Sequence, residues 1–222
     1  MEFCPARRIF LRHETLLVSY LMNLDLLIAT NNAGKVRELG GLFSGIPVTL
    51  QSLSGFPDIV EVDETGTSFL ENAVLKAKGY AAQTGLMALA DDSGLEVAAL
   101  NGAPGIYSAR FAGEDTSYDI KIDRLLKLLT ESESPDRSAR FVCSMAVADK
   151  NSDIKFTAEG ICSGTIAFSP RGNGGFGYDP VFVPDGYDLT FGELPESVKQ
   201  QISHRARAFH EIMQFLRGFI AV

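Results

Sequence analysis

Two adjacent carboxylates, Asp91 and Asp92, follow the apolar residues 86–90 and precede Ser93 and Gly94. Hard carboxylate oxygens suit Mg²⁺, which proteins commonly bind through one or two carboxylates together with phosphate oxygens of a substrate. A carboxylate can also orient and deprotonate a water molecule. Asp, Ser and Gly are equally the usual residues of turns and helix starts, so this segment alone leaves both interpretations open.

A second acidic pair, Asp63 and Glu64, stands just before Thr65 and Gly66 at the entry to a predicted helix. One of these acids could complete a metal site with Asp92. Alternatively, the pair simply lies near the positive end of the helix dipole, where acidic side chains are stabilising. The local sequence does not decide between the two.

A short polar segment with a lysine joins a predicted strand to a predicted helix: Thr30, Asn31, Asn32, Ala33, Gly34 and Lys35. Backbone amides at a helix N-terminus plus a cationic side chain can bind an anion such as a phosphate. The segment is not a Walker A loop, because the first glycine is missing and Val36 stands where Ser or Thr would be required. An ordinary capped helix explains the same residues.

Four glycines and two aromatic residues share the segment 171–179, which ends in Phe176, Gly177, Tyr178 and Asp179. Glycine allows a ligand to approach the backbone closely, and either aromatic ring could stack on a planar base. The alternative is a glycine-rich hairpin whose aromatic rings belong to the core.

Ser203, His204 and Arg205 bring three hydrogen-bond donors together, and Lys199 lies about one helical turn earlier. They could face a common ligand, although a solvated helix face explains Lys199 and Arg205 equally well. A Ser/His/Asp triad is discounted because no G-x-S-x-G elbow is present.

The chain has 222 residues, of which 45% are hydrophobic and 22% charged, with a net charge of −8. This composition predicts a globular protein, and the acidic balance argues against a nucleic-acid-binding surface. A polyanionic ligand would need metal ions or a locally basic pocket. No apolar run reaches the 18 to 20 residues of a membrane span. The three cysteines (Cys4, Cys143 and Cys162) indicate neither a disulfide framework nor a zinc site, which favours a reducing, cytoplasmic compartment.

Strand and helix patterns alternate in the first half, which predicts an α/β fold with some parallel pairing. Strands are expected at 24–30, 46–53 and 86–90, with the first helix capped by Asn31 or Asn32. Ser68 and Glu71 form a capping box for a second helix, which runs to about residue 83 and is ended by Gly85.

The second half is predicted to continue with a third helix around 120–129 and an antiparallel pair at 140–148 and 154–166. A short strand at 180–183 and a terminal helix that is broken near Ser203 complete the chain. Residues 1–21 are basic and set apart; they could be a transit-like segment, an extra helix or sequence upstream of the true start.

Together these segments resemble the inosine triphosphate pyrophosphatase family. The matching strings occur in the family's order from residue 24 to 216: ATNNAGKVREL (29–39), ETGTSFLENAVLKA (64–77), ADDSGLEV (90–97), GAPGIYSARFAG (102–113), GGFGYDPVF (174–182) and ISHRARA (202–208). The resemblance implies that residues 22–222 form one catalytic domain, a two-lobed α/β fold with an elongated mixed sheet, helices on its flanks and the active-site cleft between the lobes.

The activity implied by the resemblance is Mg²⁺-dependent hydrolysis of ITP, dITP or XTP to the monophosphate and pyrophosphate, in a homodimer. Residues 30–35 would hold the triphosphate, Asp92 would bind metal and act as the base, and Ser93 would lie beside the substrate. Asp63 or Glu64 would be the second metal-binding acid. The nucleotide would be held by residues 176–179 with Lys199, His204 and Arg205. A Maf-like pyrophosphatase with another base preference and a non-catalytic nucleotide-binding protein are the alternatives.

Overall fold

The computed structural model describes residues 24–113 and 115–220. The basic segment at 1–21 lies outside the described residues, so its three interpretations stay as they are. Within the described part of the chain, no helix is long and apolar enough to cross a membrane.

One six-stranded mixed sheet runs through the molecule in the order β2-β1-β3-β4-β5-β6. Its parallel part consists of β1 (Leu24–Ile28), β2 (Val48–Ser52) and the first residues of β3 (Met87–Val97). The two connections are α1 (Ala33–Leu42), capped by Asn32, and α2 (Phe69–Thr84), capped by Ser68 and ended by Gly85 in the left-handed conformation. The strand–helix alternation and the N-caps Asn32 and Ser68 are confirmed, while the Glu71 carboxylate accepts its hydrogen bonds from Thr67.

The rest of the sheet is antiparallel and is formed by β3 with β4 (Ser138–Ala148), β5 (Ile154–Ile166) and the short β6 (Phe182–Pro184). The remaining helices are α3 (Tyr118–Glu131), α4 (Glu196–Ile202) and α5 (His204–Leu216). Ser203 ends α4 and caps α5, since its hydroxyl accepts a hydrogen bond from Ala206 N at 3.1 Å. The predicted break in the terminal helix is therefore confirmed.

Three buried clusters divide the molecule into two lobes. In the parallel half, alternate strand residues face opposite ways: one face packs on α1 and α5 around Leu26, Leu89 and Phe209. The other face carries small residues, so that α2 approaches closely through its alanines. The third cluster lies at the far ends of β3, β4 and β5, around Leu95 and Phe182, and forms the core of the second lobe.

One prediction about β3 is wrong. Residues 91–94 were expected to follow the strand, but β3 runs straight through them: Asp92 pairs with Ser144 and Ser93 with Cys143 of β4. The strand continues because β4 supplies hydrogen-bond partners along its whole length and distant cations compensate the buried carboxylates. These stabilising partners are remote in the sequence and cannot be recognised in the segment itself.

Candidate active site

A cleft of about 350 Å³ lies between the two lobes, beyond the end of β1. The last β1 residue, Ile28, pairs with Leu89, and Ala29 N donates to Leu89 O at 2.8 Å. Among the described residues, β4 is the only strand that pairs with β3 beyond Leu89, so the β1-side edge of residues 91–94 faces the cleft. Side chains on both faces of β3 can therefore reach the same space.

The structure brings most of the predicted site residues to this cleft. Those that line it are Thr30, Asn31, Asn32, Lys35, Glu64, Asp92, Ser93, Phe176, Gly177, Tyr178, Asp179, Lys199, His204 and Arg205. Ala33, Gly34 and Asp63 do not line it. Gly34 nevertheless contributes, because a Cβ at this position would lie 2.6 Å from the ring of Phe176. Only glycine lets that ring pack against the start of α1.

Strand alternation directs the adjacent carboxylates to opposite faces of the sheet. Asp92 faces α2: Asn72 Nδ2 donates to Oδ2 at 3.1 Å, and Lys76 Nζ lies 3.2 Å from Oδ1. Burial, supported by the nearby Glu64, raises the pKa of Asp92, although Lys76 and Asn72 oppose the shift. Asp92 is therefore a more basic carboxylate than an exposed aspartate.

Glu64 reaches the same lysine, with its Oε1 2.9 Å from Lys76 Nζ, so the carboxylates of Glu64 and Asp92 converge on one point. Burial lowers the pKa of Lys76, but attraction by Asp92, Asp91 and Glu64 outweighs burial and raises it, so the ammonium stays charged. Asp63 is exposed, whereas Glu64 is half-buried. Among the described residues, no group of three or more His, Cys, Asp or Glu could hold a metal ion.

Sequence reasoning missed Asn72 and Lys76. Both lie in the string ENAVLKA, four residues apart on α2, which places them on one helix face. Asn72 Oδ1 also accepts a hydrogen bond from Gly66 N at 2.8 Å, so the same side chain fixes the loop that carries Glu64. The four-residue spacing of two polar residues inside an alanine-rich helix was the available signal.

On its other face, β3 carries Asp91, which is only 1% exposed. Asp91 Oδ2 lies 3.0 Å from Arg205 Nη2, and Oδ1 lies 3.3 Å from Lys35 Nζ. Burial raises the pKa of Asp91, but Lys35 and Arg205 more than offset this and hold it well below the usual range. Arg205 Nη2 also donates to Ser93 Oγ at 2.8 Å. Asp91 is therefore an ionised buried anchor for two cations.

Glu38, a residue that sequence reasoning did not single out, extends this cluster. It forms ion pairs with Arg205 and, at 2.5 Å, with Lys199, which also pairs with Asp179. Burial raises the pKa of Glu38, but Arg205 and Lys199 outweigh it, so the net shift is downward. Each of the three predicted cations Lys35, Lys199 and Arg205 therefore faces a buried carboxylate.

The start of α1 has the geometry of a capped helix. Asn32 Oδ1 accepts hydrogen bonds from Gly34 N at 2.9 Å and Lys35 N at 3.2 Å, while Thr30 Oγ1 accepts one from Asn32 N at 3.2 Å. The Asn32 side chain is thus occupied as a cap. Lys35 turns to β3, where its Nζ also lies 3.4 Å from Asp91 O.

Aromatic and imidazole rings form the wall at the second lobe. The Phe176 ring lies beside two cations, 4.9 Å from Lys199 Nζ and 5.7 Å from Arg205 Cζ. The His204 ring stacks on Phe141 with centroids 4.7 Å apart, and its Nδ1 is buried without a hydrogen-bond partner in the described residues. Burial and the nearby Arg205 and Lys199 lower the pKa of His204 well below 6.5. His204 is therefore a neutral ring with a polar atom available.

Tyr178 behaves largely as a core residue. It is 2% exposed, and its hydroxyl donates to Ser108 O at 3.1 Å. Its ring meets that of Tyr118 edge to face. For this aromatic of the glycine-rich segment, the structure shows the packing role that the sequence left open, whereas Phe176 faces the cleft.

The chain is similar in sequence to a known protein family. The model of the Ham1 family matches residues 26–215. A protein named dITP/XTP pyrophosphatase from Desulforamulus reducens is 48% identical over 193 residues, covering 87% of this chain and 96% of that protein. One of the same name from Bacillus anthracis is 46% identical over 189 residues, covering 85% and 94%.

The chain is also similar to solved protein structures. A HAM1 protein from Coxiella burnetii superposes with a TM-score of 0.80 at 38% identity, covering 88% of this chain and 99% of that one. The Ham1 protein of Staphylococcus aureus gives a TM-score of 0.77 at 40% identity with the same coverage. The α/β fold with a mixed sheet and flanking helices is therefore shared with these proteins.

Proposed function

Because the chain belongs to the Ham1 family, we propose that its cleft hydrolyses the non-canonical purine nucleoside triphosphates ITP, dITP and XTP to the monophosphate and pyrophosphate. The protein is a nucleoside triphosphate pyrophosphatase of the hydrolase class. One observation of the site carries the proposal: the carboxylates of Asp92 and Glu64 converge, within about 3 Å of Lys76 Nζ, at the wall of a cleft large enough for a nucleotide.

The donor set fits Mg²⁺ as the cofactor. Two carboxylates combined with substrate phosphates are a usual magnesium environment, and these two already meet at one cation. Of the acidic pair, Glu64 is the second metal-binding acid, because it lines the cleft while Asp63 is exposed. When bound, Mg²⁺ would offset charge on the triphosphate and orient its phosphates.

Asp92 acts as the general base. It holds the attacking water by hydrogen bonding and accepts its proton as the water attacks the α-phosphate, so that pyrophosphate leaves. Burial favours this role, since it raises the pKa of the carboxyl and thereby its affinity for a proton. Asn72 and Lys76 fix the carboxylate from the side of α2, which keeps it directed to the cleft.

Substrate binding is divided between the two lobes. Residues 30–35 and Ser93 hold the phosphates from the first lobe, with Gly34 leaving room for the Phe176 ring beside them. In the second lobe, Phe176 packs on the purine base of the nucleotide, and Arg205 and His204 offer polar atoms to the purine. The ion pair between Lys199 and Asp179 fixes this wall of the cleft. Donors directed at a 6-keto oxygen accept hypoxanthine or xanthine, whereas the 6-amino group of adenine leaves them unpaired.

The test is a substrate panel of ITP, dITP, XTP, GTP and ATP with Mg²⁺, in which monophosphate, pyrophosphate and orthophosphate are quantified. The inosine and xanthosine substrates should yield monophosphate and pyrophosphate, and Asp92→Asn should lose at least about 100-fold in kcat. Because this variant loses one partner of the buried ion pair with Lys76, its unfolding temperature should fall, but its thermal unfolding should stay cooperative. Equal turnover of ATP, or orthophosphate as the sole second product, would reject the proposal. Near-normal turnover by the variant would reject Asp92 as the base.

We place the enzyme in the cytoplasm as a homodimer with no nucleic-acid or membrane partner. The thiols of Cys143 and Cys162 are free and buried, which suits a reducing compartment. Membership of the Ham1 family disfavours a Maf-like enzyme. The presence of both Asp92 and Glu64 disfavours a non-catalytic nucleotide-binding protein, which the panel would reveal as binding without turnover.

A further inference from the structure

In the described part of the chain, five cationic side chains line the cleft: Lys35, Lys76, Arg110, Lys199 and Arg205. Four of them are engaged by the protein's own carboxylates. Lys35 pairs with Asp91, and Lys76 pairs with Glu64 and Asp92. Lys199 pairs with Glu38 and Asp179, and Arg205 pairs with Glu38 and Asp91. A cation that already faces a buried carboxylate contributes less net attraction to an incoming anion.

Arg110 is the exception. Among residues 24–113 and 115–220 it forms no ion pair and donates no side-chain hydrogen bond. Its described contact is with the Tyr107 ring, whose centroid lies 5.1 Å from Arg110 Cζ. The tyrosine is 57% exposed and the arginine half-buried, so the stacking holds the guanidinium without neutralising it.

The loop that carries Arg110 is held in place beside the reacting region. Ser108 Oγ donates to Gly105 O at 2.6 Å and accepts from Leu95 N of β3 at 2.9 Å. The loop lies so close to β3 that a Cβ on Gly94 would be 2.4 Å from Gly105 O. Arg110 follows two residues after Ser108, on a loop fastened next to the strand that carries Asp92.

A guanidinium is a permanent cation with donors arranged to match phosphate oxygens, often two at once. The rest of the cleft offers a triphosphate mainly cations that are already paired. We propose that Arg110 is a further substrate-binding residue, which contacts the β- or γ-phosphate of the nucleotide and stays with the pyrophosphate leaving group. This inference rests on the proposed pyrophosphatase function and adds to it a residue on the loop at 102–113, which carries none of the other proposed site residues.

The experiment compares Arg110→Gln and Arg110→Lys with Arg124→Gln, which removes the same charge from an exposed position on α3. Steady-state hydrolysis of ITP gives kcat and KM, and calorimetry measures binding of Mg²⁺-pyrophosphate and of IMP separately. For Arg110→Gln we expect KM and the Kd of pyrophosphate to rise about 10- to 100-fold. The Kd of IMP should stay within about twofold, because the monophosphate lacks the contacted groups. Arg110→Lys should be intermediate and Arg124→Gln unchanged.

Unchanged KM and pyrophosphate affinity in Arg110→Gln would overturn the inference, as would an equal loss of IMP affinity, which would place the guanidinium at the nucleoside end. If the Gln variant unfolds, the Lys variant and its pyrophosphate binding decide the question. Failure of the proposed function looks different, since the wild-type protein itself would then release no pyrophosphate from ITP.

Discussion

Lys76 can be replaced to test whether the two acids of the site are held together by one cation. We consider Lys76→Met, which keeps most of the side-chain volume and removes the charge. The side chains of Lys76 and Asp92 are 8% and 9% exposed, so their ion pair is buried, while Glu64 is 32% exposed. Breaking a buried pair by removing one partner costs about 3–5 kcal/mol.

The lower end of that range applies here, because Asn72 still donates to Asp92 and water can reach Glu64. A loss of about 3 kcal/mol lowers the unfolding temperature of a domain of this size by about 6–12 °C. Lys78→Met is the matched control, since Lys78 is exposed on the same helix two residues later. Differential scanning fluorimetry without and with saturating Mg²⁺ measures both proteins.

The response to Mg²⁺ gives a second expected result in the same experiment. Once the ammonium is gone, two neighbouring carboxylates repel each other and a divalent cation relieves that repulsion. Mg²⁺ should therefore raise the unfolding temperature of Lys76→Met more than that of the wild type or of Lys78→Met. A decrease of less than about 2 °C, or an equal effect of Mg²⁺ on all three proteins, would refute the reasoning.

Two further predictions concern the acidic pair and the buried histidine. Glu64→Gln should raise the Mg²⁺ concentration for half-maximal ITP hydrolysis about tenfold or more, because it removes a charged donor to the metal. Asp63→Asn should match the wild type. The reverse result would mean that Asp63, and not Glu64, binds the metal. In the folded protein the pKa of His204 lies well below 6.5, so just below pH 6.5 this side chain takes up a proton only in the unfolded state. The free energy of unfolding therefore decreases as the pH is lowered. Between pH 7.5 and 5.5 the wild type should lose about 1.4 kcal/mol more unfolding free energy than His204→Asn in urea titrations, and parallel losses would contradict the shift.

Local signals predicted much of the fold. Asn32, Ser68 and Ser203 cap their helices through hydrogen bonds to amides within three residues, and Gly85 ends α2 in a left-handed conformation. Such interactions depend on neighbouring residues and can be recognised in a short window. The continuation of β3 through Asp91 could not, because the cation that compensates this carboxylate, Arg205, is 114 residues away.

The site also combines features that local sequence predicts with contacts that only the fold creates. The motifs indicated which segments meet at the cleft, but the contacts that organise them come from residues that look like ordinary helix surface. Lys76 and Glu38 stand in polar positions of α2 and α1, and only the packing of these helices on the sheet buries them. The choice of Glu64 over Asp63 likewise depends on which side chain the loop turns inward.

The proposed activity is cleavage of keto-purine triphosphates between the α- and β-phosphates. The most direct measurement is a single reaction containing equimolar ITP and ATP with Mg²⁺ in ¹⁸O-labelled water, with products separated by ion exchange and analysed by mass spectrometry. Attack of water on the α-phosphate should give IMP that carries one ¹⁸O, unlabelled pyrophosphate and intact ATP. AMP formed as fast as IMP, or label found in pyrophosphate or orthophosphate instead of IMP, would contradict it.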